Sequence, residues 1–490
     1  KAIYGSRAAN GVILITTKKG VEGTSNISYQ GSFTIANLPR ERKIDVLDAQ
    51  AYTDFRVDSI GIEEDHYGYE TDWQDEILRQ THESVFQRAT HTHNLSFTSG
   101  TKNSTVRGSL GYANEKGIFI KSGLERFTAQ LKFNQKLLND RVTVDFGLTG
   151  SQVKESKVPI GPTGGYEGDA LQNAITGNPT APIYIENNPD SGYFQYSNSV
   201  RNPVAMIMLT NDEITTNRLL TNFSITAEVI KGLNYKLNLA ADLVDAERLI
   251  VQDKELIYLN FDGTVNLNNK KYNSQLMENT LTYSKSIGKH SFTGLLGHSM
   301  QFFLETNNNF EALDFQNVPD EIGYQYLLDA ESVQINWVPG YSTVYQNDKL
   351  ESVFGRVTYN YDERYLLTAT VRNDGSSRFG DNYKRANFPS LAAKWRLSEE
   401  TFLSSVSQIS NLSLRLGWGK VGNQELPSKQ SVNSIEPKLD AGAFLLDPQS
   451  PISGYATTRT ANPNLKWETT TETNFGIDYG LFANRVSGEI

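Results

Sequence analysis

The sequence predicts an all-β fold, a transmembrane antiparallel β-barrel of about fifteen strands, with a short N-terminal segment lying inside it. Apolar and polar residues alternate with a period of two along most of the 490 residues, and short and long connections also alternate. The chain has no run of about 18 apolar residues, so a membrane-spanning helix is not predicted. A membrane β-barrel remains possible, because only every second residue of its strands faces lipid and no long apolar run is needed.

The N-terminal segment is a stretch of small and polar residues that leads into a short apolar strand at 12–17. We expect this strand to pair within a unit inside the barrel, and residues 18–23 to link that unit to the first barrel strand. Gly5 and Gly11 suit a close backbone approach or a positive φ beside the wall. Arg7 is a candidate ion-pair partner for acidic lumen residues, with a solvated surface arginine as the alternative.

The strands that follow carry apolar side chains on one face and polar side chains on the other. The apolar face includes Ile27, Tyr29, Phe33, Ile35, Val106, Leu110, Tyr112, Phe127, Ala129, Leu131, Phe133, Val142, Val144, Phe146, Leu148, Tyr235, Leu237, Leu239, Val353, Val357, Tyr359, Tyr361, Tyr365, Leu367, Ala369, Val371, Leu412, Leu414, Leu416, Trp418, Phe475, Ile477 and Tyr479. The opposite face includes Arg107, Lys132, Asp145, Arg356, Arg372, Arg415, Glu468, Glu472 and Asp478. Such a face is solvated in a soluble sandwich and lines the lumen in a barrel, so alternation alone does not decide between them.

The connections favour the barrel. Short turns are predicted at 101–103, 138–140, 231–232, 288–289, 362–364 and 482–484, and long loops near 37–90, 154–215, 305–349 and 422–465. Short turns at one end and long loops at the other are typical of outer-membrane barrels, whereas such long loops are unusual in compact soluble domains. Because Ile490 falls within a strand and an open edge in lipid is unfavourable, we expect further strands to close the barrel.

Two helices are predicted in the first long loop, outside the barrel wall. One covers 48–60 and begins at Asp48, and the other covers 73–80 with Asp72 as its N-cap. Both N-cap positions carry a carboxylate that can accept from free backbone N–H groups of the first turn.

Composition excludes several classes of function. The chain has no cysteine, which removes disulfide frameworks and thiolate metal sites. Its net charge of −10 and pI near 5.3 disfavour a nucleic-acid partner, which would require a basic surface.

Possible catalytic and metal motifs are weak. The residue pattern Gly417-x-Gly419-x-x-Gly422 matches the dinucleotide-binding motif. That motif needs a helix immediately after it, whereas a loop sequence follows here. His91 and His93 share the apolar face, which favours an interfacial girdle over a metal site. The acidic residues between 63 and 76 lack the spacing of a calcium loop and are expected to be solvated or to face a partner. We therefore predict no enzymatic activity, no cofactor and no metal.

Aromatic residues in the long loops are the candidates for substrate contact. They are Tyr166, Tyr193, Phe194 and Tyr196 in one loop and Trp337, Tyr341 and Tyr345 in another. Aromatic rings beside Asn and Asp suit sugar or peptide ligands. Packing within the loops, or contact with a lid, is the alternative for each residue.

Five segments resemble one known family, the SusC/RagA-like TonB-dependent outer-membrane transporters. The opening IYGSRAANGVILITTKKG, with Tyr4, Gly5, Arg7, Asn10 and Gly11, resembles the end of that family's plug domain. The others resemble its barrel and occur in family order: TDWQD at 71–75, YDERYLLTATVRNDGSSRF at 361–379, GWGKVGNQ at 417–424 and NPNLKWET at 462–469.

The resemblance implies that residues 1–23 end the plug and its linker, and that 24–490 form a barrel truncated at its C-terminus. It implies 22 strands in the intact protein, embedded in outer-membrane lipid of a Gram-negative, Bacteroidota-like bacterium. It also implies energy from the TonB complex through a missing N-terminal region, a SusD-like surface lipoprotein as partner, and import of oligosaccharides or peptides. The alternatives are a passive barrel or surface adhesin that binds glycan, and a soluble all-β glycan-binding or glycan-degrading protein.

Overall fold

A computed structural model describes most of the chain. The described residues are 3, 5–6, 18, 20–23, 25–59, 61, 66–161, 169–195, 200–259, 263–313, 342–403, 406–438 and 454–490.

The described residues form one 15-stranded antiparallel sheet in which each strand pairs with its neighbours in chain order. Its strands are β1 (Ser25–Ile35), β2 (Ala89–Gly100), β3 (Ser104–Lys116), β4 (Gly123–Leu137), β5 (Val142–Lys157), β6 (Thr210–Ile230), β7 (Leu233–Gln252), β8 (Thr264–Ile287), β9 (His290–Leu313), β10 (Ser342–Tyr361), β11 (Tyr365–Ser376), β12 (Arg385–Arg396), β13 (Ile409–Asn423), β16 (Glu468–Leu481) and β17 (Val486–Glu489). A separate hairpin pairs β14 (Ser434–Lys438) with β15 (Gly454–Arg459). The predicted all-β class is confirmed, and β1 and β17 are the two edges of the sheet.

The two faces of the sheet differ as the alternation predicts. On the apolar face of β9–β12, Leu296, Val353, Val371 and Leu391 are each more than half exposed. On the opposite, polar face of β10 and β11, the even-numbered residues from Leu350 to Phe354 and from Thr370 to Ser376 are buried. Large apolar side chains are therefore exposed on the face that a barrel would turn to lipid.

Aromatic side chains form a row across the apolar face where the strands meet the short turns. Phe292 of β9 pairs with Tyr359 of β10, and their rings lie 4.8 Å apart. Tyr365 of β11 stacks on Trp395 of β12 at 6.2 Å. We call these four residues the aromatic row; such rows are typical of the interfaces of membrane barrels.

Short turns connect the strands at one end of the sheet, at 101–103, 138–141, 231–232, 288–289, 362–364 and 482–485, with a longer connection at 397–408. We call the opposite end the loop end. Its longest connections are 36–88, 158–209, 314–341 and 424–467, the last containing the β14–β15 hairpin. Strands β9 and β10 reach further into the predicted loop 305–349 than the sequence pattern indicates. The reason is local: Asn307, Asn308 and Asn309 put polar groups on both faces and remove the apolar alternation.

Short helices occur within the long connections. α1 (Ala49–Asp54) begins after Asp48, whose carboxylate accepts from Ala51 N, and a π-helical turn follows it at Phe55–Ser59. α2 (Trp73–Glu76) and α3 (Arg79–His82) lie where the second helix is predicted, and α4 (Ala170–Thr176) and α5 (Pro203–Met208) lie in the next long loop. Asp72 caps α2 by accepting from Gln74 N and Asp75 N, as predicted. None of the described helices is long and apolar enough to cross a membrane.

Candidate functional site

A buried ion pair lies on the polar face of β11. The Arg372 Nε atom donates to Asp374 Oδ1 at 2.6 Å, and the two side chains are 2% and 0% exposed. They lie two residues apart on one strand and therefore project on the same face. Charges this well buried are stabilising only when each is paired and its remaining hydrogen-bonding capacity is used.

The N-terminal segment supplies two further hydrogen bonds to this pair. Arg372 Nη1 donates to Ile3 O at 2.8 Å, and Ser6 N donates to Asp374 Oδ2 at 3.3 Å. Gly5 lies between them with φ of +61°, and a Cβ atom there would overlap Arg372 Nε. Glycine therefore satisfies two needs at this position, a left-handed backbone and the absence of a side chain. We call Ile3, Gly5, Ser6, Arg372 and Asp374 the anchor.

An aromatic ring supports the arginine of the anchor. The Cζ atom of Arg372 lies 4.9 Å from the centre of the Phe354 ring, on the neighbouring strand β10. That ring occupies the space beside Gly297 of β9, where a Cβ atom would overlap it. Residues of three adjacent strands therefore fix the guanidinium of Arg372. Phe354 of β10 makes the cation–π contact, and Gly297 of β9 leaves room for its ring.

The other described part of the N-terminal segment lies against β2 and β3. Gly23 N donates to Gly100 O at 3.0 Å, and a Cβ at Gly20 would lie 2.8 Å from Thr105 Cβ. Gly20 also borders a cavity of about 340 Å³ on the polar face, whose lining includes Lys132, Asp145, Asn222 and Lys236. The segment therefore contacts the polar face of the sheet at two places, β11 near residue 5 and β3 near residue 20.

Of the five predicted plug-end residues, the structure describes only Gly5. Gly5 has both features expected of it, a positive φ and a close backbone approach. Tyr4, Arg7, Asn10 and Gly11 lie outside the described residues. Sequence reasoning missed the partners Arg372 and Asp374, although both fall within the VRNDG part of a motif that carried the resemblance.

The two long loops 36–88 and 158–209, together with Ile120 of the β3–β4 connection, share one apolar core, which we call the loop core. Its buried members are Trp73, Ile77, Ile120, Ala170, Ala174, Ala181, Val204, Met206 and Ile207. Trp73 Nε1 donates to Asn178 O at 2.8 Å, and Thr71 Oγ1 donates to Ala181 O at 2.6 Å. These bonds join the TDWQD motif of the first loop to the second loop.

Asn202 is a polar side chain of the loop core that sequence reasoning missed. Its Oδ1 accepts from Val204 N and Ala205 N at the start of α5, and its Nδ2 donates to Ile183 O and Phe194 O. The only sequence signal for it is Asn before Pro203, a common helix start. One buried amide therefore fixes the start of a helix and two loop carbonyls at once.

Acidic residues of the first loop make ion pairs within it. Lys43 Nζ lies 2.8 Å from a carboxylate oxygen of Asp72 and 2.8 Å from one of Asp75. Burial acts to raise the pKa of Asp72, but the Lys43 ammonium and the backbone N–H groups of α2 outweigh it and lower that pKa. Burial likewise acts to lower the pKa of Lys43, while the two carboxylates raise it overall.

Two of the predicted substrate-contact residues pack against the loop core. Tyr193 and Phe194 are partly buried there, and the Phe194 ring lies 5.1 Å from that of Tyr67. Burial, together with nearby Tyr184 and Glu255, raises the pKa of Tyr193 to about 12. The hydroxyl of Tyr193 is therefore neutral at physiological pH. These contacts agree with the packing alternative given above, and a role in ligand contact stays a prediction.

The remaining aromatic candidates lie elsewhere. Tyr345 belongs to β10 and is 52% exposed, with Lys429 Nζ 5.7 Å from its ring centre. Tyr166, Tyr196, Trp337 and Tyr341 lie outside the described residues. The structure therefore does not bring the candidates of the two loops together within the part of the chain it describes.

Three of the motif segments meet at the loop end of β11–β13. Phe379, Phe388 and Trp467 pack with Leu350 in a second buried cluster, and the Phe379 and Trp467 rings lie 4.3 Å apart. Gly422 of the GWGKVGNQ segment admits the Phe388 ring, because a Cβ there would overlap it. Segments 361–379, 417–424 and 462–469 are therefore parts of one packing unit.

A buried aspartate fixes this unit to β10. Asp348 is paired with Arg378 at 2.9 Å and accepts from Ser428 Oγ at 2.9 Å. Arg378 Nη1 also donates to Leu426 O at 3.0 Å. The connection that follows β13 is thereby held against β10 and β11.

The imidazoles of His91 and His93 face each other on the apolar face, with Nδ1 and Nε2 3.2 Å apart. Tyr29 OH is bonded to the second nitrogen of His93 at 2.6 Å, and Phe33 and Tyr112 pack around the pair. Among the described residues, no group of three or more His, Asp or Glu side chains is placed to hold a metal ion. The surroundings are those of an aromatic girdle.

The sequence matches a known family model. The model described as "TonB dependent receptor-like, beta-barrel" matches residues 164–490. TonB-dependent receptor SusC of Bacteroides thetaiotaomicron is 31% identical over 520 residues, which cover 100% of this chain and 48% of that protein. TonB-dependent receptor P3 of Formosa agariphila is 32% identical over 496 residues, covering 99% and 46% respectively. The chain thus spans about half the length of the curated relatives it matches.

Solved structures show the same fold. The RagAB peptide transporter superposes with a TM-score of 0.79 at 21% identity, covering 100% of this chain and 56% of that chain. The RagAB peptide importer in its closed-closed state gives a TM-score of 0.78, also at 21% identity, covering 99% and 56%. At this level of identity the likeness extends to the fold alone.

Proposed function

Because this chain belongs to the TonB-dependent receptor-like β-barrel family, as a SusC/RagA-like member, we propose that the intact protein imports large nutrients across the outer membrane. The barrel wall spans the membrane with its apolar face in lipid and its polar face around the lumen. Import is energised through the TonB complex, which acts through a region upstream of this chain. The named relatives are receptors and transporters, and we assign no enzymatic reaction.

The anchor is the observation that carries this proposal. A wide barrel lumen leaks unless something occludes it, and the N-terminal segment contacts the polar face at β11 and at β3. We infer that residues 1–23 end a plug domain that fills the lumen. Buried, paired charges on the wall are suited to hold such a plug closed until work is applied to it.

The partner and the substrate class follow from the relatives. The RagAB structures are those of a peptide transporter. The resemblance to SusC/RagA-like transporters implies a SusD-like surface lipoprotein. We propose such a lipoprotein as the lid over the loop end, and oligosaccharides or peptides as the imported substrates. The loop core gives that lid a folded platform on the long loops. Twenty-two strands in the intact protein would remove the open edges at β1 and β17.

Deletion of the full-length gene tests this function. Uptake of fluorescent oligosaccharides and peptides is compared between parent, deletion strain and the strain complemented with the intact gene. We expect uptake of one substrate class to be lost on deletion, restored on complementation and abolished when TonB is removed. Pull-down of the intact protein is expected to recover the lipoprotein partner.

A passive barrel or glycan-binding adhesin is the second candidate, and the same experiment separates it. Uptake that persists without TonB would indicate a passive pore, and surface binding without uptake would indicate an adhesin. An occluding segment held by buried charges has no purpose in a passive pore, which is why we favour the energised importer.

A further inference from the structure

The apolar face carries a polar network at the loop end of β11 and β12, beside the middle of β9 and β10. Glu351 of β10 accepts from His298 Nε2 at 3.1 Å on one carboxylate oxygen and pairs with Arg385 of β12 through the other. Arg385 Nη1 also donates to Asn373 Oδ1 at 2.9 Å. We call His298, Glu351, Asn373 and Arg385 the outer network. The exposed Val353, Leu296, Val371 and Leu391 lie on the same face, one to three rows nearer the short turns.

A glycine allows the arginine to reach across three strands. Arg385 pairs in register with Gly375 of β11, which pairs with Glu351 of β10. A Cβ at Gly375 would lie 3.0 Å from Arg385 Cγ and 3.3 Å from its Cζ, so the arginine lies flat over the glycine. Glu351 and Asn373 fix the guanidinium on two sides, yet the Arg385 side chain remains 49% exposed. Nη1 and Nη2 each carry a second N–H group beyond these two bonds, and these groups can donate to a phosphate.

Positive charge exceeds negative charge at this place. Lys349 follows on the same face of β10, one row nearer the loop end, and its Nζ lies 5.5 Å from the centre of the Phe302 ring. The outer network and Lys349 together carry two permanent cations and one carboxylate, with a histidine that adds a third cation when protonated. The surplus attracts an anion on a face that is otherwise apolar.

The height of the network on the wall selects the kind of anion. Phe292 of the aromatic row and Met300, which pairs with Glu351, are eight residues apart on β9. Eight residues at about 3.4 Å span ~27 Å of strand, or about 20 Å along the membrane normal for a strand tilted by about 40°. The apolar band of such barrels is about 25 Å tall, so Glu351 and Arg385 lie near its outer edge. Lys349, two residues further along β10, lies at the headgroup level of the outer leaflet.

We propose that the outer network and Lys349 bind the phosphate group of a lipid in the outer leaflet. The inference rests on the proposed membrane location of the barrel. Arg385 binds the phosphate oxygens with these second N–H groups of Nη1 and Nη2, Lys349 adds a second cation, and the exposed aliphatic side chains below contact the acyl chains. Arginine forks fit phosphate geometry, and each basic residue near a membrane surface contributes about a fivefold gain in binding to anionic lipid.

Native mass spectrometry of the full-length protein in an uncharged detergent tests the site. The probes are dioleoyl phosphatidic acid, dioleoylglycerol with the same chains but no phosphate, and inorganic phosphate. We expect one tightly bound phosphatidic acid, weak binding of dioleoylglycerol, and competition by inorganic phosphate only at far higher concentration. The K349Q/R385Q variant should bind phosphatidic acid at least tenfold more weakly. The matched control K271Q removes another lysine of the apolar face, one already 3.4 Å from Asp245, and should bind as the parent does.

A second variant covers the event that the double variant does not fold. Glu351→Gln removes the carboxylate that competes for Arg385 and should bind phosphatidic acid more tightly, by about fivefold. Equal binding of dioleoylglycerol and phosphatidic acid, or unchanged binding in both K349Q/R385Q and E351Q, would overturn the proposal. Membrane fractionation of the same cells reports separately on the proposed function: a protein absent from the outer membrane contradicts that function, whereas correct location without phosphate selectivity contradicts only the lipid site.

Discussion

Replacement of Arg372 by leucine should release the N-terminal segment from the wall. The change removes the partner of Asp374, which is 0% exposed, and the donor to Ile3 O. Removing one partner of a buried ion pair costs about 3–5 kcal/mol, and the lost cation–π contact with Phe354 adds about 0.5–2 kcal/mol. When the segment leaves, water reaches Asp374, so this destabilisation falls on the docked state. The docked-to-undocked ratio should fall by about 10²-fold or more, since each 1.4 kcal/mol is a factor of ten.

A single thiol at position 6 makes this release measurable. The described structure shows no hydrogen-bond partner for the buried Ser6 Oγ, and the 490 residues contain no cysteine, so Ser6→Cys adds one reporter and removes no such bond. Thiol labelling should be at least tenfold faster in R372L than in the parent. The control R218L changes an arginine of the same face that donates to both carboxylate oxygens of Asp242, and it should label like the parent.

Neutralising the orphaned carboxylate gives the complementary test. In the R372L background, Asp374→Asn should slow labelling again, because the docked state then holds no unpaired charge. Labelling of R372L within threefold of the parent would show that the buried pair does not anchor the segment, and the reasoning given for the site would then fail.

Three further predictions concern the loop-end packing. Gly422→Ala should destabilise the wall by about 1–3 kcal/mol through overpacking, measured by thermal unfolding in detergent. The control Gly147→Ala should be nearly neutral, because a Cβ there meets nothing within 4 Å. Equal shifts in the two variants would contradict the packing argument. Trp73→Ala should lower the stability of the loop core by about 3–5 kcal/mol, read from hydrogen exchange or proteolysis of the two loops, and unchanged protection would refute it. The Lys43–Asp72 contribution should be present at neutral pH, be lost in acid as pH falls through the lowered pKa of Asp72, and be lost in base above the raised pKa of Lys43. Lys43→Met should remove the part of the acid-induced loop opening that depends on this pair, and an unaltered pH profile would count against it.

The wall of the protein could be predicted well from the sequence because its rules are local. A period of two fixes which side chains share a face, as Val353 and Arg356 show, and the turn residues fix where strands reverse. Prediction stopped where both faces become polar. Asn307 to Asn309 continue β9 beyond the apolar band, and there no alternation distinguishes a strand from a loop.

The loops were less predictable because their packing joins distant residues. Tyr193 and Phe194 have the composition of a binding surface, yet both pack against a core completed by Trp73 of another loop. Asn202 resembles an ordinary helix cap until its amide is seen to hold two loop carbonyls. Composition alone does not predict which way an aromatic ring or an amide points, or which residues it contacts.

The motif segments illustrate the same limit. In three of them the residue pattern alone carried the resemblance, and that pattern gives no physical reason for Gly422 or Trp467. The structure supplies that reason, since the absence of a Cβ at Gly422 makes room for Phe388, and Trp467 closes the cluster.

The sequence by itself determined the class of fold, the order and facing of the strands, and the separation of short turns from long loops. It also predicted that Gly5 suits a close backbone approach or a left-handed backbone. Only the tertiary structure decided what Gly5 lies against. Its neighbours Ile3 and Ser6 bond to Arg372 and Asp374, which are 369 and 368 residues further along the chain. Local patterns carry no information about contacts at such a separation, because these depend on how the whole sheet brings its polar face around the segment.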